Sequence, residues 1–259
     1  MTSHTIPYPK TRLFVESALQ AGASVPLPEK AAHYLAHVLR LKADEPIALF
    51  NGADGEWLAD ISELRKKSGT AQVIQLLRPH AACPDVEVAF APIKFGKIDF
   101  IAQKASELGA AILQPVVTRY TQMERVNVER LQANVTEAAQ QCERTDVPAV
   151  KQPMKFIDWL ANHDPDRVLI YGDETGQGEE PSLLLPKLSP DKWSILVGPE
   201  GGFAEDELAL LRKQKQSVAI SLGPRILRAD TAMLTLLSLT QAWFGDWQRK
   251  PAFRSPSEE

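Results

Sequence analysis

The spacing of apolar and polar residues divides the chain into two regions with different predicted architectures. From residue 12 to about residue 80, short apolar runs are separated by turn signals such as Asn51-Gly52, and one helix is predicted over 28–39. Several short strands with a single helix are typical of a small β-barrel. We therefore predict a β-rich N-terminal domain over 1–80.

Beyond residue 84 the pattern changes to buried strands that alternate with amphipathic helices. Strands are predicted over 86–91, 111–117, 168–171, 194–197 and 218–222, and helices over 98–108, 127–142, 205–213 and 229–247. This alternation predicts an α/β domain with a mainly parallel sheet. We place that domain at 84–248, followed at 249–259 by a polar tail that we expect to be disordered.

Two glycine-bearing loops in the second region carry the strongest functional signal. The sequence GPEGGF at 198–203 and the sequence LGPRILR at 222–228 each join a predicted strand to a predicted helix. Glycine lets a backbone approach a ligand closely, and α/β proteins bind ligands where their strands end. The two loops therefore predict two walls of one small-molecule pocket. Their glycine spacing does not match the common phosphate-binding motifs.

Composition limits the class of protein. Of the 259 residues, 44% are hydrophobic and 24% are charged, as in ordinary globular proteins. No apolar run is long enough to span a membrane, and the start of the chain lacks a signal-peptide core. Cys83 and Cys142 are the only cysteines, which argues against a disulfide framework and fits a cytoplasmic location. No metal site is expected, since neither the cysteines nor the five histidines have ligand spacing. The net charge of −4 argues mildly against a nucleic-acid partner.

Four motifs, read in order, are specific enough to indicate a family. They are HYLAHVLRLK at 33–42 followed by FNG at 50–52, KASELG at 104–109, EAAQQCERTDVP at 137–148, and the two glycine-bearing loops with ADTA at 229–232. Together they resemble the bacterial 16S ribosomal RNA (uracil-N3)-methyltransferases, the RsmE family of the SPOUT superfamily. The chain departs from the family pattern at Cys142, where Ser is usual, at Asp230, where Glu is usual, and at Ala43, where Gly is common.

The resemblance implies a fold, an activity and partners. The expected fold is a PUA-like RNA-binding β-barrel followed by a SPOUT α/β domain that contains a trefoil knot. The expected activity is transfer of a methyl group from S-adenosylmethionine to N3 of one uridine in 16S ribosomal RNA, by a homodimer. Free RNA and the assembled 30S subunit both stay open as substrates. Two other functions also stay open: a knotted methyltransferase for a tRNA ribose 2′-oxygen, and a non-catalytic RNA-binding assembly factor.

The resemblance also points to residues that bind the methyl donor. These are Tyr171, Gly172, Glu174, Gly198, Pro199, Glu200, Gly201, Gly202, Leu222, Gly223, Ile226, Leu227 and Arg228. Main-chain groups near Tyr171, Gly198 and Leu222 would read the adenine edge, while apolar side chains of the last loop cover its faces. For Leu222, Ile226 and Leu227 a place in the protein core is the alternative, and for Ile226 the two are almost equally favoured.

Chemistry at uracil N3 requires loss of a proton, which places negative charge on the neighbouring oxygens. We predict that Arg228 and Arg144 stabilise this charge, because arginine stays protonated. Glu200 could accept the N3 proton, lie near the sulfonium, or brace its loop by accepting backbone N–H bonds. The predicted RNA-binding residues are Arg12, Arg65, Lys66, Lys67, Glu137, Gln141 and Arg144. A solvated turn at 65–67 is equally consistent with the sequence, and Glu137 and Gln141 could instead shape the site across a dimer interface or simply pack.

Overall fold

The computed structural model describes residues 9, 11–94, 97–123 and 125–249, and these form two compact units. The first unit combines the chain up to Ala82 with the segment 139–147, and the second unit contains 83–138 and the chain from Pro148 onward. The tail predicted to be disordered lies outside the described residues from position 250. Among the described helices, none has the length and apolar character needed to cross a membrane.

The first unit is built on a five-stranded sheet. Its strands are β1 Arg12–Phe14, β2 Ser24–Leu27, β3 Pro46–Phe50, β4 Glu56–Leu64 and β5 Gly69–Arg78, in the order β1-β3-β4-β5-β2. Helix α1, Glu29–His33, follows β2 and continues into a π-helical turn over Tyr34–Val38. Alternate residues of the strands point inward and form an apolar core that includes Val25, Ile47 and Ile61. This architecture confirms the predicted PUA-like β module.

The second unit is a parallel sheet flanked by helices. Its strands are β6 Asp85–Phe90, β7 Ile112–Val117, β8 Ala149–Val150, β9 Met154–Lys155, β10 Val168–Gly172, β11 Lys192–Val197 and β12 Ser217–Ile220. Its helices are α2 Lys97–Glu107, α3 Val128–Gln141, α4 Phe156–Ala161, α5 Pro181–Leu184, α6 Glu205–Lys213 and α7 Ala229–Phe244. The strands pair in the order β12-β10-β11-β6-β7-β8, with β9 beside β7, and every pairing is parallel. The predicted mainly parallel α/β domain is therefore confirmed.

The two faces of this sheet are covered by different helices. Tyr171 and Leu196 pack in one apolar cluster with Leu211 of α6. Trp193, which points to the opposite face from Leu196, meets Phe244 of α7 with ring centroids 4.9 Å apart. Because β12, β10 and β11 are adjacent and parallel, the loops that follow these three strands all leave the same edge of the sheet.

Candidate functional site

A cavity of about 310 Å³ lies where these three strands end. One wall comes from 172–176 after β10, a second from 197–203 after β11 and a third from 221–227 after β12, and the first turns of α7 close the cavity. Nine of the residues predicted to bind the methyl donor line it: Gly172, Glu174, Gly198, Pro199, Gly202, Leu222, Gly223, Ile226 and Leu227. The structure thus brings together the two loops that the sequence singled out.

Glycine is required at one position of the second wall, and a second glycine there lies close to a neighbouring ring. Gly202 has a φ of 70°, and a Cβ at this position would overlap the carboxylate of Glu174. A Cβ on Gly198 would lie 3.1 Å from the ring of Phe203. The absence of a side chain at Gly202 therefore allows the β10 loop and the β11 loop to approach each other closely, and Gly198 allows the β11 loop to fold back on Phe203.

Asp173 is a buried carboxylate in the cavity wall that sequence reasoning missed. Its Oδ1 accepts hydrogen bonds from the backbone N–H of Thr175, at 2.8 Å, and from the Thr175 hydroxyl, at 2.6 Å. Its Oδ2 is buried and receives no hydrogen bond from the described residues, although a guanidinium nitrogen of Arg212 lies 3.7 Å away. A buried polar atom of this kind is usually hydrogen-bonded, so a ligand in the cavity could supply the donor.

Four residues predicted to bind the donor do not line the cavity: Tyr171, Glu200, Gly201 and Arg228. The side chain of Tyr171 is buried in the core, and burial raises the pKa of its hydroxyl. Glu200 is exposed beside Gly201, and Arg228 is the exposed residue that precedes helix α7. Each of the four lies next to a lining residue in the chain, and their roles in donor binding stay predictions.

Asp230, one of the departures from the family pattern, lies in the first turn of α7. Its Oδ1 accepts the backbone N–H of Thr231 at 3.0 Å, and its Oδ2 lies 3.8 Å from Nζ of Lys97. A carboxylate is favourable at the N-terminus of a helix. The shorter side chain therefore still stabilises the start of the helix that closes the cavity.

A buried glutamate holds the loop after β7 against the start of α6. Glu207 accepts the backbone N–H of Ala204 at 2.9 Å and that of Arg119 at 2.8 Å. The neighbouring Tyr120 packs beside Gly201, where a Cβ added to the glycine would lie 3.2 Å from the tyrosine Cβ. The GPEGGF loop is thus supported from a segment about 80 residues earlier in the chain, which local sequence patterns do not reveal.

Arg12, predicted to contact RNA, is instead buried within the first unit. Its Nε donates to Glu56 Oε2 at 2.6 Å, and Arg78 donates to the same oxygen at 2.5 Å. The Arg12 guanidinium also donates to the backbone oxygens of Ala139 and Arg144. Burial, and then the charge of Arg78, lower the pKa of Arg12 to about 9, while burial raises the pKa of Glu56. The structure therefore corrects the expectation of an exposed cation at this position. The sequence could not reveal the burial, because the partners of Arg12 come from distant parts of the chain.

The other predicted RNA-binding residues are divided between the units. Arg144 lies in the first unit, where its guanidinium donates to both carboxylate oxygens of Asp146 at 2.9 Å. Gln141 is exposed in the first unit and Glu137 is exposed in the second. The turn 65–67 is fully on the surface of the first unit. Among the described residues, no cluster of three or more His, Cys, Asp or Glu side chains could hold a metal ion.

Comparisons with known proteins agree with this geometry. A model of the RNA methyltransferase domain matches residues 81–241, and a model of the RNA methyltransferase PUA domain matches residues 27–74. The chain is 35% identical over 229 residues to ribosomal RNA small subunit methyltransferase E of Rickettsia conorii, covering 88% of this chain and 93% of that protein.

Two solved structures are similar over almost the whole chain. A methyltransferase from Legionella pneumophila, in complex with the bound cofactor SAM, superposes with a TM-score of 0.83 at 27% identity and covers 91% of this chain and 98% of its own. Ribosomal RNA small subunit methyltransferase E from Neisseria gonorrhoeae, bound to S-adenosyl methionine, gives a TM-score of 0.81 at 25% identity and covers 92% of this chain and 99% of its own.

Proposed function

The chain belongs to the RNA methyltransferase family that includes the ribosomal RNA small subunit methyltransferases E, and from this premise we propose that it methylates N3 of a uridine in 16S ribosomal RNA. The observation that carries the proposal is the cavity enclosed by three loops at the ends of adjacent parallel strands. Its two glycine-bearing walls belong to the motifs on which the resemblance rests. We propose S-adenosylmethionine as the methyl donor, as in the similar structures that contain it.

The residues of the cavity fit such a donor. Its volume of about 310 Å³ is at the lower end of the range for small-molecule sites. Leu222, Leu227 and Leu236 offer apolar surface for an adenine ring. Asp173 and Glu174 add two carboxylates on one wall, which suits a ligand that carries a sulfonium and an ammonium group. When bound, this ligand supplies an activated methyl group.

The protein would then contribute position and charge. An in-line methyl transfer requires the uracil to be held at a fixed distance and angle beside the cavity. Arg228 is exposed at the start of α7, next to lining residue Leu227, where its guanidinium could stabilise the negative charge that develops on uracil oxygens. The sequence also predicts Arg144 for this task, and within the first unit Asp146 orients its guanidinium.

Glu200 is the carboxylate that we propose as acceptor of the N3 proton. Its side chain is exposed, between lining residues Pro199 and Gly202 in the chain, and a uracil that enters from solvent can therefore reach it. Replacement by Gln keeps the size of the side chain and removes its basicity. We expect Glu200→Gln to lower the rate of methyl transfer about 100-fold, the low end for general base catalysis, with donor affinity unchanged in calorimetry. A variant that loses donor affinity in proportion would assign Glu200 to donor binding instead.

We further propose that the enzyme acts as a homodimer in the cytoplasm on RNA of the 30S subunit, and that its second unit contains the trefoil knot of the superfamily. The activity is tested by incubating the protein with labelled S-adenosylmethionine and undermethylated 30S subunits, and then mapping the product. Label on N3 of a single uridine supports the proposal. Label on a ribose in a parallel incubation with unmodified tRNA, or donor binding without any transfer, would replace it by one of the two alternative functions.

A further inference from the structure

The first unit contains a surface groove that the sequence motifs did not reveal as one site. It has a volume of about 740 Å³ and is lined by Pro28, Glu29, Lys30, His33, Lys66 and Lys67. Three of the six residues are lysines and one is a glutamate, so the groove carries a formal charge of +2, in a chain whose net charge is −4. A local excess of positive charge attracts a polyanion even when the whole protein is acidic.

The strand register explains why these residues meet. Leu27, the last residue of β2, pairs with Gly69, the first residue of β5, and Gly69 also pairs with Leu64 at the end of β4. The chain that leaves β2 for α1 must therefore pass beside the turn between β4 and β5. That turn is closed by the backbone N–H of Arg65, which donates to the oxygen of Ser68 at 2.8 Å.

The inner side of α1 fixes which residues face the groove. Ala32 and Leu35 are fully buried in the core of the first unit, so Lys30 and His33 lie on the exposed side of the helix. The ring of His33 lies 4.6 Å from that of His37, one turn later. The groove thus has one wall from a helix and one from a tight turn, and both walls present nitrogen donors.

Some of the basic side chains in this region already form ion pairs with carboxylates, and others do not. Arg65 donates to Glu63 at 2.5 Å, and Nζ of Lys67 lies 3.4 Å from Glu29 across the groove. Lys30 and Lys66 take part in no ion pair within the described part of the chain. Both are exposed, and their ammonium groups can neutralise an incoming anion without breaking an internal pair.

We propose that this groove binds the phosphate backbone of the RNA substrate, with Lys30 and Lys66 as its principal phosphate contacts. Arg65 and Lys67, which the sequence grouped with Lys66, contribute less because they already pair with carboxylates. Contacts of this kind position RNA and carry no sequence information. The inference rests on the proposed function, since it gives the RNA substrate a binding surface in the first unit.

The test measures the salt dependence of RNA binding. For single strands, each neutralised phosphate contributes about 0.7 to the slope of log affinity against log salt concentration. We expect Lys30→Gln/Lys66→Gln to lower this slope by about 1.4, when a single-stranded RNA oligonucleotide is titrated with the full-length protein over a series of KCl concentrations. Lys30→Arg/Lys66→Arg keeps both charges and should keep the wild-type slope.

A matched control removes the same charge from lysines that are already paired. Lys104 and Lys187 bind Glu107 and Glu179, at 2.7 and 2.6 Å, so Lys104→Gln/Lys187→Gln should change the slope much less. Equal slopes for wild type and Lys30→Gln/Lys66→Gln, or equal losses in the two Gln variants, would overturn the proposed groove while leaving the methyltransferase proposal intact. Absence of methyl transfer to 30S subunits by the wild type would count against the proposed function and not against the groove.

Discussion

Gly202 shows how one residue determines the shape of the candidate site. It combines a positive φ of 70° with a position at which any side chain would meet the carboxylate of Glu174. The sequence predicted close backbone approach in this loop, and the structure identifies the partner that makes it necessary. Arg12 shows the opposite case, since nothing local in the sequence reveals that a buried glutamate 44 positions later neutralises it.

Gly202→Ala should weaken donor binding. The added Cβ displaces Glu174 from the β11 loop, and a left-handed conformation costs a non-glycine residue about 1 to 2 kcal/mol. We expect an increase in the donor dissociation constant of about tenfold or more in calorimetry. Gly22→Ala is the control, because Gly22 has a φ of 82° in the first unit and a Cβ added there would have no atom within 4 Å. A Gly202→Ala variant with wild-type affinity would exclude the tight contact between these loops.

Arg12→Gln should destabilise the first unit severely. The substitution removes the Nε donor to the buried Glu56 and the donors to Ala139 and Arg144. Breaking a buried ion pair on one side costs about 3 to 5 kcal/mol. The free energy of unfolding in urea measures this cost, and Arg65→Gln, at an exposed ion pair, should change it by less than about 0.5 kcal/mol. Similar values for the two variants would show that the Arg12 network adds little to stability.

At the scale of elements, the strands and long helices of the second unit named below were predictable, whereas several short elements were not. The helix predicted over 205–213 is α6 with the same limits, and the predicted strands of the second unit agree with β6, β7, β10, β11 and β12 to within a few residues. Strand β2 was missed because Pro26 interrupts its alternation and is tolerated only in an edge strand. Helices α4 and α5 span six and four residues, too few for a helical period to be recognised.

The start of α6 provides a test at this scale. Glu207→Ala removes the acceptor for the backbone N–H groups of Ala204 and Arg119, both of which it holds from a buried position. Leaving a buried donor such as the Ala204 N–H unpaired costs about 1 to 3 kcal/mol. We expect faster hydrogen exchange at Ala204 and Arg119, together with weaker donor binding, because residues 118–121 support the GPEGGF loop. Unchanged exchange at both amides would contradict this coupling between the loops.

At the scale of the whole molecule, the sequence predicted two domains of the correct types but not the full membership of each unit. The segment 139–147 belongs to the first unit, although it lies inside the region that matches the methyltransferase model. Arg12 and Arg78 hold this segment by donating to its backbone oxygens. A hydrophobic pattern reports local structure, whereas hydrogen bonds between residues more than 60 positions apart have no local signature.

The pH dependence of stability also belongs to this scale. His163 is half-buried with its Nε2 3.2 Å from the Ser194 hydroxyl, and burial lowers its pKa below the ordinary value of 6.5. Below pH 6.5 the unfolded chain therefore takes up a proton at this position that the folded chain does not, and stability falls as the pH falls. Burial raises the pKa of Glu87, so above pH 4.5 the folded chain holds a proton at this position that the unfolded chain releases. This contribution makes stability rise as the pH falls.

His163→Gln removes the contribution of His163 to the pH dependence of stability and retains that of Glu87. The loss of unfolding free energy on moving from neutral pH to about pH 5.5 should be smaller in the variant than in the wild type, by up to about 1.4 kcal/mol per pH unit. Urea denaturation at a series of pH values measures the difference. Parallel pH profiles for the two proteins would show that His163 titrates normally in the folded state.

The central claim is that the loops after β10, β11 and β12 together enclose the methyl donor. A crystal structure of the full chain with S-adenosylmethionine tests it most directly. We predict that the adenine lies against Leu222 and Leu227, with the ligand between residues 172–176 and 198–203. Density for the donor at any other place on the protein, or loops that separate rather than close around it, would contradict the account.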